Sequence, residues 1–203
     1  MVNIAFIAAK GGVGKTTSAM LTASALAATG EVVTLIDTDP QASAYEAANR
    51  IEENSVPLPY PVKTAGVDFA KRSVKNADWV ILDTPPGDQR IIETALRWAD
   101  IALLPTRPGV FDLVQTVPLL NLAKQVGTPA AVLLTQVRPQ VKETLETKEA
   151  LEEHGALVLG TDIPLLARTS RLTEIHPSIR DLEASGYSAV AQELKEAFGE
   201  PQA

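Results

Sequence analysis

Short apolar runs recur along the chain, each closed by glycine, proline, aspartate or threonine. Val2 to Ala8 (VNIAFIA), Glu31 to Ile36 (EVVTLI), Val80 to Leu82, Ile101 to Leu104 and Ala130 to Leu134 are such runs. Their near-continuous apolarity, in place of strict alternation, predicts strands buried on both faces, as in a parallel sheet. Helical stretches are expected between them at Thr16 to Ala28, Arg90 to Trp98, Leu113 to Val126 and Lys142 to Glu153. Pro118 should kink its helix or mark its start, because proline removes one helical hydrogen bond and clashes with the preceding turn. Alternating strands and helices predict an α/β fold, a doubly wound, mainly parallel sheet of about seven strands with helices on both faces. The proline-rich stretch Asn54 to Pro61 (NSVPLPYP) reads as a loop or edge connection. The tail after Phe198 (GEPQA) has no periodicity and is expected to fray.

With 203 residues, 45% hydrophobic, the chain can bury one sizeable core, and residues 1–203 are expected to form a single domain. No apolar run reaches the roughly 18 residues of a membrane span, and the N-terminus enters a strand too early for a signal peptide. A cytoplasmic protein is therefore expected. The absence of cysteine excludes thiolate metal sites and cysteine nucleophiles. His154 and His176 are too few for a histidine-built metal site and are expected to be surface or packing residues. A formal charge of -7 argues against coating nucleic acid with the whole surface, so any such contact must use a local patch.

The chemistry concentrates in Lys10-Gly11-Gly12-Val13-Gly14-Lys15-Thr16-Thr17, between a strand and a helix. Glycines let backbone N–H groups approach an anion, and the positive end of the following helix points at it. Lys15 adds a full charge against the outer phosphates of a nucleotide. Thr16 can place its hydroxyl on a magnesium ion, and Thr17 can donate to a nearer phosphate oxygen. Asp83, closing the run WVIL, is suited to orient magnesium or its water ligands.

The loop has lysine where the general pattern asks for glycine, with Ala9 before it, and so matches the deviant form K-G-G-x-G-K-[ST]. Asp37-Thr38-Asp39-Pro40-Gln41, Asp83-Thr84-Pro85-Pro86-Gly87, Leu104-Pro105-Thr106-Arg107-Pro108 and the segment Ile163 to Glu174 extend the likeness. With these motifs the sequence resembles ParA-type partition ATPases, the small form without an N-terminal DNA-binding domain, in the ParA/MinD superfamily of P-loop NTPases. The resemblance implies an ATPase, converting ATP and water to ADP and phosphate, with ATP and Mg2+ bound. Asp39 would position the attacking water and Asp37 would support the metal side. Lys10 would reach across a homodimer to the partner's nucleotide, and Gly87 would let its loop respond to the γ-phosphate. Base contacts are expected from Thr135 to Arg138 and Ile163 to Leu166. No guanine-selecting Asn-Lys-x-Asp motif is present, which favours ATP over GTP.

Proteins of this kind bind nonspecific DNA as ATP-held dimers on the nucleoid, and a ParB-like centromere-binding partner stimulates release. Arg168, Arg171 and Arg180 are the candidate DNA-binding residues here, with Arg138 and Lys142 adjoining. Acidic residues from Glu143 to Glu153 and at Glu174 interleave with them. A membrane-positioning ATPase resembling MinD is an alternative, although Tyr187 to Phe198 has Lys195 as its only base, a poor membrane-surface helix. ParA-like positioning of a carboxysome or chemosensory cluster is another. A ligase resembling dethiobiotin synthetase would leave Lys10 without a purpose.

Overall fold

The computed structural model describes residues 1–68, 70, 74, 76–139 and 142–198. Seven strands form one sheet: β1 (Val2–Phe6), β2 (Val33–Asp37), β3 (Val62–Thr64), β4 (Trp79–Asp83), β5 (Ile101–Thr106), β6 (Ala130–Leu134) and β7 (Leu157–Val158). Their order is β3-β2-β4-β1-β5-β6-β7, and every pairing is parallel. Among the helices of the described residues are α1 (Lys15–Ala28), α2 (Ser43–Asn54), α3 (Gln89–Trp98), α4 (Val110–Val126), α5 (Lys142–Glu153), α6 (Ile179–Ala184) and α7 (Tyr187–Phe198), with a 3-10 turn at Thr169–Thr173.

The continuous apolar runs are explained by what covers them. On one face Ile4, Phe6, Leu35, Ile81, Leu103 and Leu133 pack against α1, α2, α6 and α7. On the other, Ala5, Ile36, Val80, Leu82, Leu104 and Val132 pack against α3, α4 and α5. Consecutive residues of one strand thus enter opposite cores, so both must be apolar. β1 lies at the centre, flanked by β4 and β5, and the chain moves from one half of the sheet to the other there. Ligands of doubly wound sheets bind outside the C-terminal strand ends at such a switch point. Registers bring Phe6, Asp37 and Asp83 to one level at that end.

The five expected strands are present with ends shifted slightly. β5 runs on through Pro105, which pairs with Leu133, so the proline that closes the apolar run does not end the strand. Pro118 lies inside α4 and does not mark its start. Residues 55–61 form the connection into β3, an edge strand, as their prolines imply. His154 is exposed, and His176 packs its Nδ1 against the carbonyls of Val56 and Pro57. Residues 199–203, expected to fray, lie outside the described residues. Among the described residues no helix is long and apolar enough to cross a membrane.

Candidate nucleotide site

The phosphate loop joins β1 to α1 at the switch point. Gly12 and Gly14 have φ of 82° and 86°, a left-handed backbone that L side chains rarely adopt. That pair of turns lifts the chain off the sheet and drops it into α1, whose first residue is Lys15. Its N-terminus carries no side-chain cap and no acidic residue in its first turn, so its N–H groups remain available to an anion. Two residues fix the loop from outside. The Thr135 hydroxyl donates to the Val13 carbonyl at 2.8 Å, and the Gln136 amide donates to the Gly12 carbonyl at 2.9 Å.

Lys15 is buried and meets Asp83 Oδ1 at 2.5 Å. Burial pushes the Asp83 carboxyl above the ordinary carboxylate range, while the Lys15 charge and hydrogen bond and the Thr16 hydroxyl pull it back. Its other oxygen, Oδ2, is buried and unpartnered. An orphaned carboxylate oxygen level with the phosphate loop fits a metal ion or its water ligands. Thr16 and Thr17 open α1 beside it, half-buried.

Asp37, at the end of β2, is engaged by the backbone. Its Oδ1 accepts from Asp39 N at 3.0 Å, and its Oδ2 accepts from Ala44 N at 2.8 Å and Tyr45 N at 3.1 Å. It thereby ties down the start of α2 and shapes the loop carrying Asp39. Asp39 is half-buried, and its Oδ1 accepts from Gln41 N at 2.9 Å.

Lys10 does not lie with Lys15. Its Nζ sits 3.1 Å from Oδ1 of Asp112, in the first turn of α4. Arg107, just after β5, shares that carboxylate at 3.3 Å. Asp112, Thr135 and Gln136 thus support the loop, a role that the sequence motifs do not disclose. Gln136, a non-glycine at φ 55°, leaves no one-dimensional signature of that role.

The two segments expected to meet the base do come together. Val137 bridges Pro164, Val137 N donates to the Ile163 carbonyl and Leu165 N donates to the Val137 carbonyl. Beside them a cleft of about 380 Å3 is lined by Arg107, Gln136, Arg138, Thr144 and Leu165, among others. Arg168, Arg171 and Arg180 are all exposed, and Arg168 lies near enough to α6 to help lower the Asp181 carboxyl, whose chief support is the Ser178 hydrogen bond. Lys142 is engaged by Glu146 at 2.6 Å.

Residues 4–177 match the family model of the CobQ/CobB/MinD/ParA nucleotide binding domain. The chain belongs to this family. Among its ParA/MinD relatives, the maintenance of carboxysome distribution protein A of Gloeobacter kilaueensis is 36% identical over 165 residues, covering 75% of this chain and 71% of the relative. Protein ParA of Rhizobium radiobacter is 29% identical over 202 residues, covering 93% and 90%. The MinC:MinD cell division protein complex of Aquifex aeolicus superposes with a TM-score of 0.76 at 19% identity over 100% of this chain and 98% of that one, a likeness of fold.

Proposed function

We propose that this ParA/MinD-family protein is an ATP-dependent dimerisation switch with weak ATPase activity that drives plasmid or chromosome partition through nonspecific DNA and a ParB-like partner. One observation carries the proposal: the two lysines of the phosphate loop have different intrachain partners, Lys15 at Asp83 and Lys10 at Asp112. Lys15 serves the cradle of its own subunit. Lys10 is left over for a nucleotide held by a second copy, so the site is complete only in the dimer.

Thr16 and Asp83 are the residues to hold magnesium, which when bound would neutralise charge on the outer phosphates. Asp37 supports that side through the loop it anchors. Asp39 projects from this loop and would orient the attacking water. Gln136 and Arg138, with the strand-like segment at Ile163 to Leu166, would receive the base.

The exposed Arg168, Arg171 and Arg180 form the candidate DNA surface, which two-fold symmetry doubles. Asp39→Ala protein, expected to hold ATP without turnover, provides the test by fluorescence anisotropy on a random duplex. Binding should require ATP and Mg2+ and weaken by about tenfold or more between 50 and 200 mM salt, as phosphate contacts dictate. Affinity indifferent to nucleotide and salt would refute this function. The 36% identity to a carboxysome distribution protein favours a second reading, in which the same DNA-borne dimer positions a protein cargo. A membrane-bound role is less favoured, because the apolar face of α7 (Tyr187, Val190, Ala191, Leu194) is buried inside the fold. Co-sedimentation with anionic liposomes would reverse that preference.

A further inference from the structure

Asp112 holds two cations at once. Lys10 Nζ lies 3.1 Å from its Oδ1, while Arg107 approaches side-on, Nε 3.3 Å from Oδ1 and Nη2 3.4 Å from Oδ2. Asp112 is 9% exposed, Lys10 29% and Arg107 39%. Both guanidinium distances exceed the roughly 2.7–2.9 Å of a well-made charge-assisted bond, so the fork is slack while Lys10 shares Oδ1. The two cations also differ in attachment. Arg107 lies on the β5–α4 connection that leads directly into the helical turn carrying Asp112, whereas Lys10 belongs to the phosphate loop.

We propose that Arg107 is a positioning residue for Lys10: it takes over Asp112 when Lys10 leaves for the partner subunit. This inference rests on the proposal that Lys10 acts in trans. A carboxylate this buried is unfavourable without a counter-charge, and the departure of Lys10 alone would set that penalty against dimerisation. Arg107 has the geometry to remove it, because a guanidinium can engage both carboxylate oxygens through Nε and Nη2. The N-terminal end of α4 adds partial positive charge to the same carboxylate. Closing the fork requires a shift of a few tenths of an ångström in a half-exposed side chain.

Sedimentation velocity of the full chain with ATPγS and Mg2+ tests the inference. Arg107→Gln should weaken the dimer by about tenfold or more, since Lys10 then leaves a bare carboxylate behind. Adding Asp112→Asn should restore the dimer to within about threefold of the parent, because the charge needing cover is gone. Without nucleotide, the parent, Arg107→Gln and the double variant should all sediment as monomers with the same circular dichroism spectrum, a readout that general structural damage would disturb. An Arg107→Gln dimer as tight as the parent overturns the inference. So does failure of Asp112→Asn to rescue, which would mean that Arg107 touches the partner directly. Lys10→Gln separates the levels: a parental dimer in that variant sinks the trans role of Lys10 and this inference with it.

Discussion

Gly87 has φ of 72°, and a Cβ added there would lie 3.0 Å from the Ala9 carbonyl oxygen. Its own N–H donates to the Ala8 carbonyl at 3.2 Å, so the loop after β4 is tied to the entrance of the phosphate loop through backbone alone. The Ala9 carbonyl would have to move to admit a side chain at Gly87. Gly87→Ala should therefore cost about 1–3 kcal/mol, through left-handed strain and the close carbonyl, read as a lowered urea midpoint. A parental midpoint would mean that the loop is slack enough to absorb the methyl group. The contact also marks a boundary of what the sequence discloses. Lys15, Thr16 and Asp83 are legible because a glycine-rich loop ending in Lys-Thr and an aspartate closing an apolar run are recognisable patterns in one dimension. Asp112 and Gln136 act on the loop across more than 90 residues of chain, and an aspartate in a helical first turn or a glutamine after a strand is chemically unremarkable in one dimension.

At the scale of elements, the apolar runs foretold strands buried on both faces but not strands of two or three residues. β3 and β7 occupy the two edges, and Leu157–Val158 is too short for any periodicity to register. β7 pairs with β6, and the stretch that follows it is held by a side chain from α7. Glu193 accepts from Gly160 N at 2.9 Å, from Thr161 N at 2.8 Å and from the Thr161 hydroxyl. Lys148 of α5 holds the next residue, Asp162, at 2.8 Å. These contacts clamp the stretch leading into Ile163 to Leu166, one wall of the cleft beside the phosphate loop. Glu193→Ala should lower stability by about 1–3 kcal/mol, as two backbone donors lose a charged acceptor, and Glu193→Gln by less. Urea denaturation ranks the variants, and equal midpoints for all three proteins would show that the clamp is dispensable.

For the whole molecule, the central issue is coupling between association and ligand. If two copies complete one another's sites only with triphosphate bound, the melting temperature should rise with protein concentration in the presence of ATPγS and Mg2+. With ADP it should not. Differential scanning calorimetry across a concentration series distinguishes these cases, and a concentration-independent melt with both nucleotides would indicate an autonomous site. The wholly parallel sheet has one more consequence, which concerns synthesis. The phosphate loop leaves the ribosome ahead of its supports: Lys15 waits 68 residues for Asp83, and the loop's carbonyls wait more than 120 for Thr135 and Gln136. Pairings so distant close late in folding. A nascent chain therefore displays its nucleotide signature before the walls that shape it exist, and a product truncated before residue 130 would lack β6 and the contacts that Thr135 and Gln136 make to the loop.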